Sequence, residues 1–265
     1  MHGLLTASGR MVHPMMVAPA LAASTAPVLA NHAAAGAAFF NNMRTPAALL
    51  AAGALKDAFV LQGRDQGKYD KRGWKMLIRA YAILMVFSFG LELSCVFKCT
   101  GSGTRLLGGG FDPMGESVVA MLVREFEWEY VSVRAQFVTG MLCFIMAQAL
   151  RVFKELAEHV YLARATMAFL LFATAEMLSF FNSHLVFYGG YTQLIKRYFH
   201  LAFHTAFPWV ATKGAPIRIG PILAVLALAT SMFYCACAII DVDGDNSITR
   251  ADFEEIARRF RGNKK

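Results

Sequence analysis

Asp241, Asp243 and Asp245 put three carboxylates at alternate positions, and Ser247, Thr249 and Asp252 continue the oxygen donors over the next seven residues. Oxygen ligands that recur at every second position let a tight loop wrap a hard cation, which takes about six to eight oxygens. A second set of chemically capable groups lies in apolar surroundings. Glu92 and Glu176 each interrupt a long apolar run. An ionised carboxylate in hydrocarbon is costly, so such a residue is paired, neutral or turned toward a cavity. With His184 these glutamates could form a proton or cation path. The plainer reading has them near the membrane interface, or paired with Arg124 or Arg134. His200 and His204 are four apart and fall on one helical face. With His184 they could ligate a metal, although their neighbours Tyr198, Phe199, Phe203 and Phe207 suit an interfacial role.

The run Asp241-Val242-Asp243-Gly244-Asp245-Asn246-Ser247-Ile248-Thr249-Arg250-Ala251-Asp252, then Phe253-Glu254-Glu255-Ile256, resembles the loop and exit helix of the EF-hand calcium-binding family. The resemblance implies a Ca2+ site. Asp241, Asp243 and Asp245 fill its first, third and fifth positions. Ser247 ligates through its backbone carbonyl, Thr249 holds a water, and Asp252 takes the twelfth position. Ile248 stands where the family pairs one loop with another. Two departures matter. Asn246 replaces the family's glycine at the sharp turn, where asparagine tolerates a left-handed backbone better than most residues. Asp252 replaces the family's glutamate, and its shorter arm favours weaker calcium binding or Mg2+. The chain holds no second loop of this kind, so pairing implies a second copy of the chain or a second EF-hand protein. Phe253, Ile256, Ala257 and Phe260 give the exit helix an apolar stripe. Arg258, Arg259, Arg261, Lys264 and Lys265 give it a basic end suited to anionic lipid headgroups.

These groups hang on an apolar frame. Of 265 residues, 57% are hydrophobic and only 17% are charged, against about 25% charged in ordinary soluble domains. The mean hydropathy is +0.45. A soluble enzyme is disfavoured, and no nucleophile–base arrangement or cofactor motif argues for one. The net charge of +8 fits basic residues collected beside membrane spans better than a nucleic-acid partner. Four apolar segments are predicted to span: Met76–Phe97, Ala135–Phe153, Ala165–Tyr188 and Ile219–Ile240. The first, at 1.5 Å per residue, reaches about 33 Å, enough for the hydrocarbon core. A fifth stretch, Tyr198–Val210, is shorter, ends near Pro208 and reads as a helix lying at the interface. The predicted fold is all-α: a polytopic membrane bundle of about four spans over residues 64–240, with the EF-hand-like segment at 241–265.

Residues 1–63 contain one acid, Asp57, among many alanines. That composition suggests a targeting or disordered region, such as a plastid or mitochondrial transit peptide. Arg64, Lys68, Lys71, Arg72 and Lys75 place the first flank on the cytosolic, matrix or stromal side. Arg79-Ala80 followed by Glu92-Leu93-Ser94, beside Arg164-Ala165 followed by Glu176-Met177-Leu178-Ser179, suggests a two-fold repeat. Glu125-Phe126-Glu127-Trp128-Glu129-Tyr130 reads as a short strand or an aromatic anchor. Gly101-Ser102-Gly103 and Gly108-Gly109-Gly110 read as loop glycines, and the five cysteines as small apolar residues. The function expected is a calcium-responsive regulatory or scaffold subunit embedded in a lipid bilayer. The alternative is a calcium-gated cation channel or transporter using Glu92 and Glu176.

Overall fold

The computed structural model describes residues 29–61, 72–207 and 219–240, together with Thr249, Phe253, Glu254 and Arg258. Helix α1 is Ala33–Asp57, α2 is Arg72–Gly108 and α3 is Val118–Glu155. They are followed by α4 (Val160–Ser183), a 3-10 turn (Val186–Tyr188), α5 (Tyr191–Ala206) and α6 (Ile219–Ile240). Two two-residue strands, β1 (Ala30–Asn31) and β2 (Met114–Gly115), pair antiparallel, Ala30 opposite Gly115 and Asn31 opposite Met114. They pin the start of α1 to the α2–α3 connection.

Four helical segments are long and apolar enough to cross a membrane: Trp74–Gly108, Val118–Glu155, Val160–Ser183 and Ile222–Ile240. Helices α2 and α3, of 37 and 38 residues, reach about 55 Å each at 1.5 Å per residue. That exceeds a hydrocarbon core of about 30 Å. Both therefore run well past the apolar segments expected at 76–97 and 135–153. Gly101, Ser102 and Gly103, expected in a loop, lie inside α2, and its end comes at Gly109 and Gly110 with φ of 77° and 87°. The Ser117 hydroxyl caps α3 by accepting the Ala120 N–H at 3.1 Å. The acid–aromatic alternation at 125–130, expected as a strand or anchor, is helical. It carries a kink at Phe126 (φ −137°, ψ 33°), whose ring is seated between Phe111 and the Arg105 guanidinium. The third expected span, 165–188, resolves into α4 and the 3-10 turn. Of the interfacial stretch expected at 198–210, residues 198–206 belong to α5, and residues 208–210 lie outside the described residues.

The largest departure concerns the alanine-rich start. Residues 1–28 lie outside the described residues, but the second half of the expected targeting or disordered region is a packed helix. In α1 the buried positions are Gly36, Ala37, Phe40, Ala47, Ala51 and Ala54, a spacing of three, four and seven that keeps one face inward. Small residues on that face let α1 lie close along α2. A Cβ at Gly36 would stand 3.1 Å from Met121 Cε. Pro46 sits inside the helix and α1 runs through it. The far end is tied by Tyr81 Oη donating to the Asp57 carbonyl at 2.6 Å and by Arg151 pairing with Asp57 at 3.1 Å.

Helices α1, α2 and α3 enclose the main core, which includes Phe40, Cys95, Met121, Leu122, Phe126 and Val133. A second core of Tyr81, Met85, Ala147, Ala58 and Leu61 closes the other end. Helices α4 and α6 lie outside this trio. Phe169, Leu171 and Phe172 of α4, and Leu226, Met232 and Phe233 of α6, are exposed. Contiguous apolar surface of this kind marks contact with lipid or a partner.

Candidate functional site

Asp241, Asp243, Asp245, Ser247 and Asp252 lie outside the described residues, and Thr249 is exposed. The ligand set expected from the EF-hand resemblance is therefore carried by the sequence alone. What the structure describes is the element the loop continues. Helix α6 ends at Ile240, the residue before Asp241. It meets the rest of the protein through α2 and α5. Arg79 of α2 donates to the Ala238 carbonyl at 3.0 Å, two residues before the helix ends.

Between α2 and α6 runs a cleft of about 550 Å³. Ala82, Val86, Gly90 and Ser94 line its α2 wall, one turn apart and so on one face. A Cβ at Gly90 would meet nothing within 4 Å. Leu228, Ser231 and Cys235 line the α6 wall, and Gln136 of α3 and Tyr198 of α5 close one end. Helix α6 is therefore separated from α2 by small side chains and open space rather than by interlocked ones.

A polar layer stands at the closed end. Lys98 Nζ donates to the Gln136 side-chain carbonyl at 3.1 Å, and the Gln136 amide donates to Tyr198 Oη at 3.4 Å. The Lys98 ammonium lies 4.6 Å from the Trp128 ring centroid, and Trp128 stacks on Tyr198 at 5.6 Å. Arg197 of α5 grips Glu127 of α3 through two bonds of 2.8 Å. Hydrogen bonding to Glu127 raises the Arg197 pKa and keeps it protonated. Burial, then the Glu127 charge, pushes the Tyr188 phenol well above its usual range. Tyr191 Oη and Thr139 Oγ1 share a 2.8 Å hydrogen bond. This layer fixes α5 to α3 and leaves α6 as the wall held more loosely.

The two glutamates do not form a common path. Glu92 is completely buried between α2 and α3, and among the described residues neither carboxylate oxygen has a hydrogen-bond partner. It packs on Gly140, where a Cβ would come 2.6 Å from Oε1. Glu176 lies on an exposed face of α4, in a shallow hollow with Phe172, Ser179 and Ser183. Neither glutamate pairs with Arg124 or Arg134. Arg124 binds Asp112 and Glu125, while Arg134 is stacked on Phe39 and Tyr130. The proposed repeat is not reflected in equivalent surroundings for its two glutamates.

His200 and His204 bring their Nε2 atoms to 3.1 Å on the outer side of α5. His184 follows α4, its Nδ1 2.9 Å from the Phe180 carbonyl. Among the described residues no three His, Cys, Asp or Glu side chains converge in a metal-ligating group. Sequence reasoning did not single out Lys98, Tyr198 or Gly140. Lys98 and Gln136 sit just beyond the end of the first predicted span and just inside the start of the second. That position is the signal that could have paired them. Gly140, a glycine in an apolar run, carries none. No protein-family model, curated protein or solved structure matches the chain.

Proposed function

We propose that the chain is a calcium-binding multi-pass membrane protein acting as a calcium-responsive regulatory or scaffold subunit. Cation binding at Asp241, Asp243, Asp245, Ser247, Thr249 and Asp252 is transmitted to α6. The observation that carries the reading is continuity. The loop begins at the residue after Ile240, and α6 faces α2 across a cleft rather than through an interlocked seam. Closing a loop of this kind on Ca2+ reorients the helices at its two ends. Here the entering helix is a candidate span, so its rotation would widen or narrow the cleft. The expected exit helix, on which sequence spacing puts Phe253, Ile256, Ala257 and Phe260 in one apolar stripe, would offer a surface to a second copy of the chain or another EF-hand protein. Mg2+ is the competing ion. An organelle membrane, plastid or mitochondrial, is proposed from the acid-poor composition upstream of α1.

The enclosure of Glu92 and the exposure of Glu176 support a packed subunit over a conduit that uses both. Calorimetric titration of the detergent-solubilised full chain with calcium, then magnesium, tests the reading. Saturable calcium binding that disappears in a protein carrying Asp241→Ala and Asp245→Ala is expected. Absence of binding, or equal binding by the two proteins, would reject it.

A further inference from the structure

A second site lies away from the α6 cleft. A cavity of about 190 Å³ opens where α1, α3, α4 and α5 meet, with Phe39, Met43, Arg134, Phe181, His184 and Leu194 among its walls. Its one permanent cation is Arg134. The guanidinium carbon stands 5.2 Å from the Phe39 ring centroid and 4.7 Å from that of Tyr130. Rings contact the faces of a guanidinium, while its five N–H donors radiate in the plane. Among the described residues none accepts a hydrogen bond from Arg134, and no carboxylate pairs with it. The contrast with the other arginines of α3 and α5 is plain: Arg124, Arg151 and Arg197 each hold a carboxylate within 3.1 Å. Nearby, the Tyr188 hydroxyl is buried with no hydrogen-bond partner among the described residues, its ring 6.3 Å from Tyr130. The His184 Nδ1 is engaged by the Phe180 carbonyl, which leaves Nε2 to face other groups.

The place of the cavity along the bundle narrows the ligand. Arg134 directly precedes the second predicted span. His184 follows the last residue of α4, Ser183. Lys98, across the α2–α3 interface, directly follows the first predicted span. By the predicted ends of the first two spans and the end of α4, these three positions fall at one level, where hydrocarbon is expected to give way to headgroups. Apart from Arg134 and His184 the walls are apolar, and Phe180, one of them, is 61% exposed. A cation with free in-plane donors at headgroup level, beside an apolar wall facing outward, matches a phosphate diester carrying acyl chains. A planar fork of N–H donors binds phosphate oxygens two at a time.

We propose that Arg134 seats the phosphate of an anionic phospholipid, with His184 beside it and the acyl chains running along Phe39, Met43 and Phe181. The proposal rests on α2, α3 and α4 crossing a bilayer and not on the calcium loop. Release of the chain from membranes by detergent but not by high salt checks that premise separately.

The test is binding of short-chain phosphatidylglycerol to the delipidated, detergent-solubilised full chain, followed by native mass spectrometry. Short-chain phosphatidylcholine, laurate and inorganic phosphate are the comparison probes. Phosphatidylglycerol should bind roughly tenfold or more tighter than phosphatidylcholine, as befits a charge-assisted pair. Arg134→Met, which keeps an aliphatic stem and removes the stacked guanidinium, should abolish that preference, and Arg134→Lys should restore part of it. Met43→Trp leaves Arg134 in place and fills the cavity, so it should weaken phosphatidylglycerol binding even if Arg134→Met fails to fold. Equal binding of the two phospholipids would overturn the proposal. So would tighter capture of laurate or inorganic phosphate, or unchanged binding by Met43→Trp.

Discussion

The tightest prediction concerns the contact between Gly140 and Glu92. A methyl group added at Gly140 would lie 2.6 Å from Glu92 Oε1, 3.0 Å from Cδ and 3.1 Å from Cγ. An exposed glutamate would swing aside at little cost. Glu92 is completely buried, so any swing presses on the packed groups around it. Overpacking of this kind costs about 1–3 kcal/mol. Alanine in place of a mid-helix glycine returns roughly 0.5–1 kcal/mol of helix stability. Gly140→Ala should therefore destabilise the bundle by roughly 0.5–2 kcal/mol. In a Glu92→Ala background the clash is gone and only the helix term remains. There the same change should stabilise by roughly 0.5–1 kcal/mol. The coupling between the sites is then about 1–3 kcal/mol. Reversible unfolding in mixed micelles, followed by tryptophan fluorescence on all four proteins, measures it. If Gly140→Ala has the same effect in both backgrounds within about 0.5 kcal/mol, the α2–α3 register drawn here is wrong.

Further tests probe the other interfaces. Phe40→Ala should cost about 3–5 kcal/mol, since Phe40 is fully buried; the same unfolding assay would show a marginal effect if α1 were a dispensable leader. Arg197→Lys keeps the charge but gives up one of two bonds to Glu127. With both groups partly exposed, the loss should be about 1 kcal/mol, read as roughly fivefold faster amide exchange in α5 and unchanged exchange in α2. Burial raises the Tyr191 pKa, so its contribution is fully present below the free tyrosine value of about 10 and fades as pH rises through the folded value. Tyr191→Phe should therefore have a shallower alkaline loss of stability than the parent. An unchanged slope above that pH would mean the phenol is not buried as drawn.

How much of this was legible in the sequence varies with the physics of each feature. The four candidate spans announce themselves because hydrocarbon selects apolar runs. Their true ends do not, because α2 and α3 continue past the apolar runs as charged helices, through Arg105 at one end and Arg124 at the other. Hydropathy sees the slab and not the helix. Helix α1 was hidden for a different reason. Its alanines and scarcity of acids read as a targeting composition, while its stability comes from small residues that let it lie close along α2. The partnership of Glu92 with Gly140 depends on the register between two helices, which no local pattern encodes. The proposed calcium loop is the opposite case, since every ligand expected of it is specified by spacing within twelve residues.

The most direct test of the central claim is a distance across the α2–α6 cleft. Spin labels at Ile83 and Leu228, which line opposite walls, would be placed in the full chain with accessible native cysteines replaced. Their separation would be measured by pulsed electron resonance with and without saturating calcium. The distance distribution is expected to shift on adding calcium, and the shift to vanish when Asp241 and Asp245 are replaced by alanine. An unchanged distribution in a protein that binds calcium would contradict it.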